Sequence, residues 1–392
     1  MATAPPDPSF GPEPTSPEVK RYHREKLVTG VAALIVGAAA LIFMALWGGP
    51  RLDAAVRAAV GGSRWLRLII LGFLYASGFE LLSLPFSFWS GFVLEHRYGL
   101  SNQTFLRWVW RQVKGYLVGG PVGLVALLGL YGLLWYAGAW WWLCAAAGWL
   151  AFTLVLGRLL PVVILPLFCK VTPLDDAPLI DRLRRLTAGT GLDIEGVYRL
   201  GLSADTRKAN AALAGLGKSR RVLLGDTLLQ EFTPEEIEVV FAHEVGHHVY
   251  RHLPKMIAAG VVLTLAGLGL VNLVLQAAAG SLGYRGGDGW AAWQDPSALP
   301  LFGLVLAVFG LALSPAQNAV SRFFERQCDR YALERTRRPD VYRSAFLKLA
   351  RMNKADPDPH PLVVWLFDDH PPIGQRLAMA DTMTHVARAA GE

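Results

Sequence analysis

Along this 392-residue chain, long uncharged apolar runs alternate with shorter segments in which apolar and polar positions repeat at helix or strand period. Residues 1–26 are proline-rich and polar, end in Lys20, Arg21, Arg24 and Lys26, and read as a disordered tail rather than a cleavable signal. Leu27 to Gly49 is then long and apolar enough to span a bilayer. Leu68 to Leu94 is a second run, interrupted at Glu80 and Pro85. An acid at that depth is costly, so Glu80 faces a protein interior or wet cavity, or else lies near the membrane interface. Gly115 to Gly157 carries no charge and suffices for two helices of about 20 residues with a tight turn around Gly138. Leu159 to Cys169 is too short to span alone and either extends the fourth helix or forms a separate broken span. Met256 to Tyr284 and Pro296 to Val320 complete the set as a hairpin. The pattern predicts six spans, or seven if the short run counts separately.

Two segments are left outside the bilayer and must carry the chemistry. The chain therefore divides into a tail over 1–26, membrane helices over 27–169, a first catalytic part over 170–255, a membrane hairpin over 256–320 and a second catalytic part over 321–392. Within the first part, Asp181 to Leu186 reads as a short helix. Gly196 to Leu202 and Arg221 to Leu224 read as strands, flanking Asn210-Ala211-Ala212 and a glycine turn at 215–217.

Composition agrees: 53% of residues are hydrophobic and 18% charged, against about 25% charged in an ordinary soluble domain. The net charge of +7 sits largely in segments flanking the spans, which suits anionic lipid, and nothing suggests nucleic-acid recognition. With six spans the basic flanks fall on one side, cytoplasmic by the positive-inside rule, although Arg51, Arg57 and Arg64 lie on the other. Cys144, Cys169 and Cys328 show no ligand spacing and receive no disulfide or metal role.

The chemistry centres on Phe241 to Tyr250. His243 and His247 are four apart and share a helix face, and Glu244 follows the first. In this H-E-x-x-H pattern the imidazoles hold zinc and the glutamate takes a proton from water. Thr233-Pro234-Glu235-Glu236 supplies an N-cap, a first-turn proline and a capping box, and Ile237, Val240, Phe241 and Val245 form an apolar stripe. His248 and His252 repeat the spacing without a following glutamate, and read as a solvated face or a structural site.

Zinc needs a third protein ligand. Directly after the last apolar run, Asn318, Arg322, Glu325 and Asp329 fall on one polar stripe of a continued helix. Either this is the wet face of a surface helix, or it faces the zinc helix. In the second case Glu325 is the ligand, Asp329 accepts the outer N–H of a ligand histidine, and Arg322 pairs with one of these carboxylates or with substrate.

The chain resembles the CAAX prenyl protease 1 family of integral-membrane zinc endopeptidases. The resemblance rests on Leu84-Pro85-Phe86-Ser87, Phe92 to Gly99, Thr172 to Asp176, Asn210-Ala211 and Val222 to Leu229. It continues through the zinc helix, Ser321 to Glu325 with Asp329, and His370-Pro371-Pro372 with Arg376. It implies an α-helical multi-pass membrane protein with a zincin-type protease domain carrying a small β-sheet, seven spans around a water-filled chamber, and one zinc held by His243, His247 and Glu325 with Glu244 as base. It further implies that His370 and Arg376 meet the oxyanion or hold substrate, although Asp-Asp-His-Pro-Pro also reads as a plain turn. Asn210, Ala211 and Ala212 would form a strand edge that receives the peptide. Ala212 and Leu213 stand where the family usually has an aromatic, and Cys328 where it usually has a smaller residue.

The expected partners are membrane lipid and a peptide or protein substrate, prenylated or otherwise hydrophobic near its C-terminus. A broader membrane quality-control protease, and a transporter or scaffold with structural zinc, are the alternatives. Structural zinc sites are usually closed by four protein ligands and need no adjacent base. The alanine, glycine, leucine and arginine bias suggests a GC-rich bacterial genome, and so a bacterial inner membrane with the catalytic part on the cytoplasmic side.

Overall fold

The computed structural model describes residues 15–61, 63–215, 220–284 and 291–389, with side chains to 384. The first 14 residues of the expected tail, Leu216 and Gly217 of the glycine turn, and the last three residues lie outside that set. The chain is mostly helical, and six helices among the described residues are long and apolar enough to cross a membrane. That agrees with the run pattern and is one fewer than the resemblance implies.

Helix α1 (Pro17–Phe43) begins inside the segment read as a tail. The Ser16 side chain accepts from Val19 N–H and Pro17 takes the first position, so the start is capped. Val19 and Tyr22 are buried. A short helix α2 (Gly49–Val60) ends the first candidate span. Helices α3 (Arg64–Phe88), α4 (Phe105–Tyr136) and α5 (Trp141–Leu159) follow. A π-helical turn at Leu160–Ile164 carries α5 on to Phe168, so Leu159 to Cys169 extends the fourth span and is not a span of its own. Gly138, at φ +55°, makes the turn between α4 and α5.

On the face away from the zinc motif, Arg67 is buried against Asp53 (2.5 Å) and Asp295 (2.8 Å), and Arg57 reaches Asp295 at 3.2 Å. Of the three arginines that conflict with the positive-inside pattern, these carboxylates pair Arg57, while Arg51 donates to the Trp47 carbonyl.

Outside the bilayer lies a four-stranded sheet of β1 (Val171–Pro173), β2 (Gly196–Leu200), β3 (Ala211–Ala214) and β4 (Arg221–Gly225) in the order β1-β2-β4-β3. β2 and β4 run parallel, the outer pairs antiparallel, and β3 is an edge. Helices α6 (Ala177–Thr187), α7 (Asp226–Glu231), α8 (Pro234–Val249), α11 (Pro339–Asn353), α12 (Pro361–Phe367) and α13 (Ile373–Ala389) belong to the same extramembrane body. Its core joins Leu183, Val222, Leu224, Leu228, Phe241, Val245, Leu333 and Tyr342. Full burial of each such large apolar side chain contributes about 1.5–3 kcal/mol.

The fourth span leads into this body at β1, and two further spans join it, α9 (His252–Ala278) and α10 (Leu299–Thr336). Helix α10 runs unbroken across the expected 320/321 boundary despite Pro315, so span six and the second catalytic part share one rod. Helix α8 approaches α10 closely at Gly246, where a Cβ would stand 3.0 Å from Cys328 Cα. No larger residue allows that approach without displacing backbone.

Candidate metal centre

Helix α8 starts where the sequence predicts: Thr233 and Glu236 form a reciprocal capping box. Its buried side presents His243 and its rim His247, with ring centroids 5.3 Å apart. Glu325, on α10, faces both. Its Oε2 is 3.1 Å from His243 Nε2 and its Oε1 is 3.2 Å from His247 Nε2. Glu325 Oε2 is buried with no hydrogen bond among the described residues. A buried carboxylate oxygen left so, facing two imidazole nitrogens, fits a divalent cation better than it fits a hydrogen-bond network.

The outer nitrogens of the two imidazoles are fixed as ligation requires. His243 Nδ1 donates to Asp329 Oδ1 at 2.9 Å, which leaves its Nε2 lone pair for the metal side. For His247 the partner is His252: the two Nδ1 atoms are 3.1 Å apart, and His252 Nε2 lies 3.0 Å from Gln327 Oε1. Gln327 Oε1 can only accept, so His252 carries its proton on Nε2 and accepts from His247 Nδ1–H. His247 Nε2 is thereby also free to ligate. Residue spacing gives no sign of this relay. His248 and His252 do not share a helix face, because α8 ends at Val249, Arg251 takes a left-handed φ of 55°, and His252 opens α9. His248 instead contacts Arg220.

Cys328 Sγ also lies within 4.8 Å of ligand atoms of His243 and His247. It faces His252 Nδ1 at 3.6 Å, on the outer side of the His247 ring, whereas Glu325 faces both inner nitrogens. The donor set of two imidazoles and a carboxylate therefore fits zinc best with Glu325 as the third member.

Charge reinforces this. Burial by itself pushes the His243 pKa down, but Asp329 and Glu325 override it and bring the value up to about 9. The pocket is electronegative and attracts positive charge. Arg376, with its side chain 11% exposed, balances part of it. Its Nη2 is 2.6 Å from Asp329 Oδ1 and its Nε 2.9 Å from Asp329 Oδ2, and the guanidinium stacks on Phe346 at 4.2 Å. Burial would lower the Arg376 pKa, yet Asp329 raises it and keeps the group charged.

The sequence expects Arg376 to meet the oxyanion or substrate; its guanidinium does line the cavity that holds Glu244, with Nη2 3.9 Å from Glu325 Oε2, while its nearest carboxylate is Asp329. Arg376 Nη2 lies 3.3 Å from His243 Nδ1, and the charge is paired with Asp329, since a guanidinium left unpaired at that depth would be prohibitively costly. Arg322 departs from the expected carboxylate pairing. It pairs with no carboxylate among the described residues and instead donates to the carbonyls of Val364 (2.7 Å) and Asp368. Asn318 donates to the Leu366 carbonyl at 2.9 Å. The stripe thus divides in two. Glu325 and Asp329 face the histidines, while Asn318 and Arg322 clamp α12 and the turn after it. That turn holds His370, exposed, with Nε2 3.7 Å from Glu325 Oε1 and Nδ1 2.7 Å from Asp369.

Glu244 is half-buried on the wall of a cavity of about 950 Å³ that also exposes His243, Glu325, His370, Asn210 and Ala211. Ala212 is on β3 but not on that wall. The Asn210 carbonyl accepts from Gly225 N–H at 2.9 Å, so by antiparallel alternation the Ala211 N–H and C=O point away from β4, towards the open edge.

A family model described as the CAAX prenyl protease N-terminal, five membrane helices, matches residues 13–170. The described residues there hold four candidate spans. The model of peptidase family M48 matches residues 173–384. The metalloprotease YhfN of Bacillus subtilis is 29% identical over 321 residues, covering 81% of this chain and 74% of that protein. CAAX prenyl protease 1 of Saccharomyces cerevisiae is 28% identical over 335 residues, covering 80% and 72%. The crystal structure of S. mikatae Ste24p shares the fold, with a TM-score of 0.79 at 24% identity over 93% of this chain and 88% of that one.

Proposed function

This chain belongs to peptidase family M48, and from that premise we propose that His243, His247 and Glu325 hold its zinc, with Glu244 as the general base of peptide hydrolysis. The protein is a multi-pass membrane zinc metalloendopeptidase. The observation that carries the residue assignment is Glu325 lying opposite both inner imidazole nitrogens with an unbonded buried oxygen, on the same cavity as Glu244.

The chemistry the ion supplies when bound is Lewis-acid polarisation of the scissile carbonyl and acidification of water. Glu244 takes the proton of the attacking water and returns it to the leaving amine. Asp329 and the His252–Gln327 pair hold the two imidazoles in their ligating tautomers, and Arg376 positions Asp329. His370, oriented by Asp369, stands on the rim where negative charge develops on the carbonyl oxygen. β3 binds the substrate as an added strand through the outward backbone groups of Ala211.

Relatives of this chain carry the name CAAX prenyl protease 1, which favours a hydrophobic peptide cut near its C-terminus, with a prenyl group as the preferred lipid. The site faces the cytoplasm of a bacterial inner membrane, on the side of the basic flanks. A farnesylated peptide is expected to be cleaved with kcat/KM about tenfold above its unlipidated twin, from the added apolar burial, and a zinc chelator should abolish both reactions. Equal rates for the twins would leave a zinc peptidase of broader quality-control type, and chelator-resistant cleavage would sink the zinc assignment.

Ala211→Pro removes an N–H that faces the open edge, not the ladder to β4, so the fold is expected to survive. A drop in kcat/KM of about tenfold with zinc content unchanged is predicted, corresponding to one or two lost main-chain bonds. Unchanged kinetics would remove the strand-addition reading.

A further inference from the structure

The catalytic cavity has a wall that the hydrolytic machinery does not use. Lys20, His23, Arg24, Leu27, Gly30 and Val31 of α1 all line it, and their spacing is one continuous helical stripe. The stripe changes character along its length, with two cations, Lys20 and Arg24, flanking His23 at one end and apolar positions at the other.

Most cations near this wall are already paired. Lys26 meets Glu95 at 2.6 Å, Lys208 meets the same carboxylate at 2.8 Å, Lys354 is bonded to Glu18, and Arg376 belongs to Asp329. His23 Nε2 is 2.6 Å from the Lys354 carbonyl oxygen. Lys20 and Arg24 differ: both are exposed, and neither has an ion-pair partner among the described residues. The acids Asp356, Asp368 and Asp369 on the same wall belong to the segment between α11 and α13, so the unpaired positive charge is confined to α1.

The stripe is also held in place. Tyr22 donates to Glu95 Oε1 at 2.7 Å, and Lys208, two residues before Asn210, is within 3.1 Å of the Tyr22 hydroxyl. The same cluster thus ties α1 to the start of the strand edge, which fixes the distance between the cationic positions and β3.

From this arrangement we infer that Lys20 and Arg24 form a subsite for the free C-terminal carboxylate of the peptide substrate, with Leu27 and Val31 against an adjacent apolar side chain. The inference rests on the reading of the cavity as a peptidase site and adds what it reads: a chain end. Two cations one helical turn apart on an anchored helix give a carboxylate charge-assisted bonds that a C-terminal amide cannot match. A peptide laid along β3 with its end at α1 is then cut a fixed few residues from its terminus.

The test measures binding to the full-length Glu244→Gln protein in neutral detergent, using one hydrophobic peptide as the free acid and as the C-terminal amide. The free acid is expected to bind about tenfold tighter, and Lys20→Gln with Arg24→Gln should bring that ratio close to one. Arg21→Gln, exposed on the same helix but off the cavity wall, should keep the ratio. Equal binding of acid and amide overturns the inference, as does a ratio that survives in the double variant. Loss of association with anionic vesicles in the double variant, with acid and amide bound alike, would assign these cations to lipid instead. Since binding is read without turnover, a carboxylate preference stands even if the wild type cleaves neither peptide, an outcome that would sink only the peptidase assignment.

Discussion

Glu244→Gln is expected to lower kcat/KM by about a thousandfold, the usual contribution of a positioned general base, while one zinc per chain is retained. The amide keeps the shape of the side chain and its place on the cavity wall but cannot accept the proton of the attacking water. Glu244 is outside the set of atoms that face one another across the centre, namely His243 Nε2, His247 Nε2 and the Glu325 carboxylate, so metal content should not follow activity. The measurement is metal analysis and peptide turnover on the same detergent-purified sample. If turnover stays within tenfold of wild type, Glu244 is not the base. If zinc is lost with activity, the carboxylate has a ligating or structural role that its position does not suggest.

Asp329→Ala should be the most destabilising change in the centre, for a reason separate from catalysis. Asp329 is wholly buried and bonds both His243 and the guanidinium of Arg376. Its removal leaves a largely buried, uncompensated guanidinium, which costs about 3–5 kcal/mol. It also frees the His243 ring to adopt the wrong tautomer, so zinc affinity is expected to fall by about 10- to 100-fold. Adding Arg376→Met should restore much of the stability but not the affinity, because the stranded charge is gone while His243 Nδ1 still lacks its acceptor. If the double variant recovers zinc affinity as well, Asp329 acts only as the counter-ion of Arg376 and does not orient the histidine.

The parts legible from sequence are those governed by local rules. Uncharged run length gives the six spans, and the Thr233-Pro234-Glu236 cap with the H-E-x-x-H spacing gives the zinc helix and its start. The stripe Asn318–Arg322–Glu325–Asp329 is visible as a stripe, yet spacing cannot divide it. Only the three-dimensional course of the segment after α11 shows that Asn318 and Arg322 face carbonyls while Glu325 and Asp329 face imidazoles. Spacing misplaces His252 because it carries a regular helix through Arg251, where the backbone turns left-handed. The start of α1 has a readable signal, Ser16-Pro17-Glu18, of the same kind as the cap on the zinc helix. The proline-rich composition around it outweighs that signal, and the cavity wall that α1 forms stays hidden with it. That Arg376, on the cavity wall, has Asp329 as its nearest carboxylate is likewise hidden, because sequence does not reveal which acid a guanidinium pairs with.

Helix α10 carries Glu325 and Asp329 on the same unbroken rod that crosses the bilayer, and α8 passes through two residues into the neighbouring span α9. Both faces of the metal centre are therefore rooted in one transmembrane hairpin. No cut in the chain yields a free-standing soluble peptidase with the three proposed ligands intact, since cleaving anywhere between the histidines and the glutamate severs the hairpin that sets their separation. A change in lipid thickness or detergent that re-tilts either span acts on the ligand geometry through a lever of solid helix, so the solvent of the membrane domain is in effect an adjustable part of the catalytic site.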